Sequence, residues 1–361
     1  MIPFQFNART TVLFGTGKRS QIGAIARTLG FRRTLLVADQ GLVQAGHVAA
    51  ITDLLGIEVH TFHGFSANPD SWQAEAGRAF AAPLSIDSIV GLGGGSSMDC
   101  AKAINFLLSC GGRMQDYHGY GKATAPLLPM IAIPTTTGTG SEAQSIALIS
   151  DPETHVKMAC GDPQAAFKVA ILDPELALSQ PRRVRATAGY DALSHAVETL
   201  VTTKRNAISD CYSRQAWHLL AGSFARSITH PEDIEAIANM QIGAYLAGAA
   251  IENGMLGAAH ATANPLTARY GTVHGDAIAL MLPHVVRWNG LPIYAELHQD
   301  LPAYLTLLAE TASLPATLRQ AGVEQSLLTE LAEDASNQWT GRFNPKPFDA
   351  AAALELYQRA Y

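Results

Sequence analysis

Ile89-Val90-Gly91-Leu92-Gly93-Gly94-Gly95-Ser96-Ser97-Met98-Asp99-Cys100-Ala101-Lys102 passes from an apolar run, through three consecutive glycines, into a helix-like pattern. Such a passage leaves backbone N–H groups free at a helix N-terminus, where the positive end of the dipole and the absence of side chains suit a pyrophosphate. The spacing is not G-x-G-x-x-G, because Ser96 stands where the third glycine would fall, so a bare tight turn remains the alternative.

On either side of this loop, short apolar runs alternate with helix-like stretches. Thr34–Asp39, Ile57–Phe62, Ser88–Leu92, Met130–Pro134 and Val169–Asp173 read as strands. Strands separated by helical patterns imply βαβ units and a mainly parallel sheet. From about Pro181 onward, Ala, Leu and Gln recur with i, i+3, i+4 apolar spacing, which predicts an all-helical half. The expected organisation is a nucleotide-binding α/β domain over 1–180 and a helical domain over 181–361. No Ser/Gly-rich linker or internal repeat separates them.

A second polar loop, Pro134-Thr135-Thr136-Thr137-Gly138-Thr139-Gly140-Ser141-Glu142, follows another apolar strand and offers hydroxyls and free amides as a second wall of a nucleotide site. Asp39 ends the strand from Thr34. A carboxylate there can accept hydrogen bonds from an adenosine ribose and repel a 2′-phosphate, favouring NAD, with NADP as the alternative; on its own, such an Asp also reads as a helix cap. Gly15-Thr16-Gly17-Lys18-Arg19 imitates a P-loop fragment, but Val12 and Arg19 occupy positions the motif reserves for Gly and Ser/Thr, so it reads as a turn.

The helical half carries the sharper chemical signal. Asp191 and His195 are four residues apart and share one helix face. His260 and His274 follow in segments of Ala and Gly. One carboxylate and three imidazoles make a ligand set for a divalent ion such as Fe²⁺ or Zn²⁺. The competing reading is a side-chain hydrogen bond within one helix. His284, shortly after, is a candidate outer support, and the remaining histidines, His155 among them, read as surface or packing residues.

Composition narrows the partners. The 361 residues carry 25 Lys+Arg against 31 Asp+Glu, a net charge of −6, and the densest basic run is only Arg182-Arg183-Val184-Arg185, which argues against nucleic acid. The start at Met1-Ile2-Pro3-Phe4 lacks a signal-peptide pattern, and no stretch reads as a membrane span. Four scattered cysteines without a Cys-x-x-Cys pair favour a reducing cytoplasm over a disulfide scaffold.

Together these motifs resemble the metal-dependent, group III "iron-containing" alcohol dehydrogenases. The likeness runs from Phe14-Gly15-Thr16-Gly17, through both loops, to the Asp191/His195/His260/His274 set and Leu282-Pro283-His284. It implies a Rossmann-like α/β domain followed by an all-α domain, a dehydroquinate synthase-like architecture with catalysis in the cleft between them. It also implies NAD(P)- and metal-dependent alcohol dehydrogenase or aldehyde reductase activity, transferring hydride between nicotinamide C4 and a metal-bound small alcohol or carbonyl substrate.

Carried over by position, Asp39 would hold the ribose, Asn68 would line the adenine side, and Gly94, Gly95 and Ser96 would take the pyrophosphate. Thr135, Thr136 and Thr139 would line the path to the nicotinamide, with Lys157 near its ribose. The catalytic and metal residues would be Asp191, His195, His260 and His274. Many relatives carry a second histidine where this chain has Asn264, and an amide cannot shuttle a proton near neutral pH, which leaves water, a cofactor hydroxyl or another residue as relay.

The alternatives are a maleylacetate reductase-like oxidoreductase, which the complete ligand set disfavours, and a dehydroquinate synthase-like lyase, which would need more basic residues near the ligands. A nucleotide-binding scaffold without activity is the non-enzymatic reading. The expected partners are a small alcohol or aldehyde and further copies of the chain, as a homodimer or higher homo-oligomer, with no nucleic acid and no membrane.

Overall fold

A computed structural model describes residues 3–154 and 156–361; Met1, Ile2 and His155 lie outside it. The chain divides into two compact units, one comprising Asn7–Thr136 with Ser141–Gln180, the other Pro181–Tyr361 with the insert Thr137–Gly140 and the N-terminal segment up to Phe6.

Among its described residues the first unit has the strands β1 Thr11–Phe14, β2 Arg33–Val37, β3 Glu58–Phe62, β4 Ser88–Gly93, β5 Gly119–Tyr120, β6 Met130–Pro134, β7 Ile146–Ser150, β8 Lys157–Gly161 and β9 Val169–Leu172. Six form one sheet in the order β1-β9-β6-β4-β2-β3, every pairing parallel. β5, β8 and β7 form a small mixed sheet. The helices of this unit are α1 Ile22–Thr28, α2 Gln40–Gln44, α3 His47–Leu55, α4 Ser71–Ala81, α5 Gly95–Cys110 and α6 Pro174–Ala177.

All five expected strands lie in the large sheet. Their continuous apolar runs are what a parallel strand covered on both faces requires, and β4 is buried at every residue. The strand order reverses between β2 and β4, where β2 leads outward to β3 while β4 leads to β6 and β9. Ligands of open parallel sheets bind outside the carboxyl ends of the strands at such a reversal. Asp39, Gly94–Ser96 and Thr135 follow β2, β4 and β6, three adjacent strands, so the topology brings to the carboxyl end of the sheet the three segments that the sequence separates.

The second unit has helices and no strand among its described residues: α7 Arg182–Thr199, α8 Ala207–Thr229, α9 Ile234–Gly254, α10 Ala258–Tyr270, α11 His274–Asn289, α12 Leu301–Thr311, α13 Leu328–Ser336 and α14 Ala350–Ala360. Its core joins Tyr190, Leu193 and Val197 of α7 with Trp217 and Phe224 of α8, Met240 of α9, Ile278 and Leu282 of α11 and Tyr357 of α14.

One expectation needs correcting. By length and composition, α9 is apolar enough to cross a bilayer, although no stretch was expected to be. Its Ala, Ile and Gly content reflects core packing: 56% of the apolar window is buried inside the chain's own fold.

Candidate functional site

α7 is buried from Arg185 almost continuously to Thr199, so each polar side chain on it needs a partner in the interior. Asp191 and His195 point one turn apart, and Nε2 of His195 stands 3.3 Å from Oδ1 of Asp191. His260, in the first turn of α10, places its Nε2 at 3.5 Å from the same oxygen. His274, the first residue of α11, places its own at 3.7 Å. Imidazole nitrogens from three helices therefore approach one carboxylate oxygen.

The packing that delivers His274 is tight. A Cβ on Gly275 would stand 2.2 Å from the backbone oxygen of Thr187, one turn before Asp191 on α7, so only glycine lets α11 begin this close to α7. The His260 ring lies 5.0 Å from that of His195 and 5.3 Å from that of His274, centroid to centroid.

These donors fit a metal. Donors about 2.1 Å from a shared ion in a tetrahedron stand roughly 3.4 Å from one another, close to the 3.3, 3.5 and 3.7 Å between Asp191 Oδ1 and the three Nε2 atoms. Asp191 Oδ1 and His260 Nε2 are buried atoms without a hydrogen bond of their own, which is costly unless something else satisfies them. Asp191, His195 and His260 offer ligand atoms that all lie within 4.8 Å of one another.

The charges agree. Burial pushes the Asp191 carboxyl up, but the imidazoles of His195, His274 and His260 outweigh it and hold the group well below the usual range, in its ligating form. Burial pulls His260 down, yet the carboxylates of Glu198 and Asp191 prevail and push it up to about 9. The site is built to hold positive charge.

Glu198, three residues beyond His195 on α7, was not singled out in the sequence. Its carboxylate accepts a hydrogen bond from Nδ1 of His260 and others from the backbone N–H groups of Gly257 and Ala259, at 3.1 and 2.8 Å. Glu198 thus supports the donor set from behind. The charges facing His284 are instead those of Arg287 and Arg359.

In the α/β unit, Gly94 caps α5 without a side-chain hydrogen bond, which leaves the first amides of that helix available. Gly93 takes φ +140°, and a Cβ there would fall 2.2 Å from Ser97 Oγ, a buried hydroxyl without a partner. The backbone N–H of Asn68 donates to Ser96 Oγ at 3.2 Å, and that of Thr135 to the Gly93 oxygen at 3.0 Å. A Cβ on Gly94 would lie 3.0 Å from Thr136, so this surface is a cradle that larger residues would fill.

The structure therefore brings Asn68, Gly94, Gly95, Ser96, Thr135 and Thr136 together. Asp39 caps α2, its Oδ1 accepting from the N–H of Leu42 at 3.1 Å, and a side-chain methyl of Leu42 borders Gly93. Thr139 is half-buried in the insert that belongs to the helical unit. Lys157 begins β8, and its charge helps to hold down the carboxyl of Asp99, which burial raises.

Lys102 is a second residue the sequence left without a role. Completely buried, its ammonium donates to the backbone oxygens of Ser141 and Ile146 and to Ser141 Oγ, all within 2.9 Å, and so ties the far end of the threonine loop to α5. Asn264 donates its amide to Gln338 at 3.1 Å.

Two family models match the chain: iron-containing alcohol dehydrogenase over residues 9–174, and the C-terminal region of the Fe-containing alcohol dehydrogenase family over 185–292. The NAD-dependent methanol dehydrogenase of Bacillus methanolicus is 35% identical over 280 residues, 77% of this chain and 74% of that one. The 1,3-propanediol dehydrogenase of Klebsiella pneumoniae is 30% identical over 99% of both chains. The crystal structure of a 1,3-propanediol oxidoreductase superposes with a TM-score of 0.94 over 100% of both chains at 30% identity.

Proposed function

The chain belongs to the iron-containing alcohol dehydrogenase family, and from that premise we propose that it is an NAD-dependent, divalent-metal-dependent enzyme interconverting small alcohols with their aldehydes or ketones. The observation that carries this reading is the convergence of three imidazole Nε2 atoms on Asp191 Oδ1.

Asp191, His195, His260 and His274 hold Fe²⁺ or Zn²⁺, and the open α5 terminus at Gly94, Gly95 and Ser96 holds the cofactor pyrophosphate. Asp39 takes the adenosine ribose and, by its charge, disfavours the 2′-phosphate of NADP. Asn68 borders the adenine side, while Thr135, Thr136, Thr139 and Lys157 line the way to the nicotinamide ribose. When bound, the ion supplies Lewis acidity toward a hydroxyl or carbonyl oxygen and NAD accepts or returns hydride at C4.

The protein's own contribution is placement. Asp191 stays ionised because three imidazoles surround it, and the helices hold the three Nε2 atoms 3.3, 3.5 and 3.7 Å from its Oδ1. Asn264, whose amide donates to Gln338, is no proton relay, since an amide neither gains nor loses a proton near neutral pH. The complete donor set favours this reading over a maleylacetate reductase-like one.

The open sheet edge at β1, with Phe14 exposed at its end, supports self-association as a homodimer or larger assembly. The free thiols of Cys100, Cys110, Cys160 and Cys211 fit a reducing cytoplasm.

The test is a reductase screen over aldehydes and oxoacids with NADH and NADPH, each with Fe²⁺, Zn²⁺ or a chelator. Activity confined to the metal-loaded samples is expected; full turnover in stripped protein would sink the mechanism.

A further inference from the structure

Glu198 touches two structures at once. Its Oε1 accepts from the backbone N–H groups of Gly257 and Ala259, which open α10, and its Oε2 accepts from Nδ1 of His260. The residue is 3% exposed, so no solvent competes for these bonds. α10 has no side-chain cap from its own Gly257, so a carboxylate reaching across from α7 does that work, and the same carboxylate orients the imidazole one turn inside.

We propose that Glu198 is the positioning residue that makes His260 a donor through Nε2. The statement rests on the reading of His260 as a metal ligand and extends it. A neutral imidazole carries one proton, and whichever ring nitrogen carries it cannot ligate a metal. An acceptor-only carboxylate on the Nδ1 side keeps the proton there and turns the Nε2 lone pair toward Asp191, His195 and His274.

The double engagement makes Glu198→Gln a directed test. The two backbone donors allow only the amide oxygen at the Oε1 position, because the reverse orientation would set the NH₂ group against both N–H groups. The NH₂ group then faces Nδ1, which must accept, and the imidazole proton is driven to Nε2. The variant keeps its shape and its cap on α10 while moving the imidazole proton from Nδ1 to Nε2. Glu198→Asp loses a methylene and some reach, but it remains acceptor-only and does not invert the proton.

Zn²⁺ affinity is measured by competition with a chromophoric chelator on purified full-length protein, alongside NADH binding and the melting temperature with and without Zn²⁺. In Glu198→Gln the Zn²⁺ dissociation constant is expected to rise about 10–100-fold, with a smaller rise in Glu198→Asp. The melting temperature gained on adding Zn²⁺ shrinks correspondingly, and NADH binding is unchanged.

Wild-type affinity in Glu198→Gln overturns the inference, as does an equal loss in both variants, which would mark a merely structural role. Wild-type protein that fails to bind Zn²⁺ overturns the ligand reading beneath it. Should Glu198→Gln not fold, ¹H–¹⁵N spectra of the Zn²⁺-loaded wild type decide instead. A proton on Nδ1 of His260 supports the assignment, and one on Nε2 overturns it.

Discussion

Oδ1 of Asp191 stands 3.3 Å from Nε2 of His195, one turn along the same buried helix, and the imidazoles of His260 and His274 reach that oxygen from two other helices. Because α7 supplies only half of the set, losing a donor from another helix empties the site without disturbing the glycine loop of the α/β unit. His260→Ala should lower bound Fe²⁺ or Zn²⁺ from about one ion per chain to a small fraction of that and reduce turnover to background. NADH binding, followed by fluorescence, should stay within about twofold of wild type. Full activity in this variant would remove His260 from the mechanism.

Gly275 makes a second, purely steric prediction. A Cβ at this position would meet backbone, the oxygen of Thr187 at 2.2 Å, and backbone on a buried helix cannot swing aside as a side-chain tip can. In Gly275→Ala the start of α11 must move away from α7 and take His274 with it. A loss of about 1–3 kcal/mol in stability is expected from the overpacking, together with weaker metal binding. Gly222→Ala is the control: nothing lies within 4 Å of the added methyl on α8, and helix propensity favours alanine there. Equal metal affinity in both variants would show that α11 can shift without carrying its histidine.

How much of this was legible in the sequence depended on what each segment is packed against. β2, β3, β4, β6 and β9 were readable because parallel strands show unbroken apolar runs. β1 was missed because the apolar run of this half-covered edge strand is only Val12-Leu13-Phe14, too short to stand out. β7 and β8 were missed because the polar residues between Ser150 and Lys157 hide a hairpin, and β5 has only two residues. Asp191 and His195 could be paired by their spacing on one helix. Glu198 lies on the same face, but its partners Gly257, Ala259 and His260 are about sixty residues away, and only the packing of α10 on α7 reveals them. Lys102 was equally opaque, since nothing local distinguishes a lysine wholly inside the fold from a solvated one.

Asp39 serves as both a cap and a candidate cofactor discriminator, and the two can be separated. Replacing a capping Asp with Gly costs only a few tenths of a kcal/mol, so Asp39→Gly should fold with little change in melting temperature. Its negative charge is lost from the end of β2, beside the glycine loop. The ratio of kcat/KM for NADH over NADPH should therefore fall about tenfold or more, chiefly through a lower KM for NADPH. An unchanged ratio with unchanged stability would leave Asp39 as a cap alone.

The pairing of His260 with Glu198 also sets a pH dependence. Burial opposes protonation of His260, but the adjacent carboxylates of Glu198 and Asp191 raise it to about 9, against the ordinary value of 6.5 that the unfolded chain retains. A group raised on folding contributes stability that is fully present below its unfolded value and disappears as the pH climbs through its folded one. In metal-free protein, the melting temperature of the wild type relative to His260→Ala should thus be greatest below about pH 6.5 and decline toward about pH 9. Metal binding runs the other way: ligation needs Nε2 unprotonated, so affinity for Zn²⁺ should increase across the same interval, with proton release on binding. Melting curves of both proteins from about pH 6 to 10, with and without Zn²⁺, test the two slopes together. A difference between wild type and variant that stays flat with pH in the metal-free samples would mean that Glu198 and Asp191 do not hold a proton on His260.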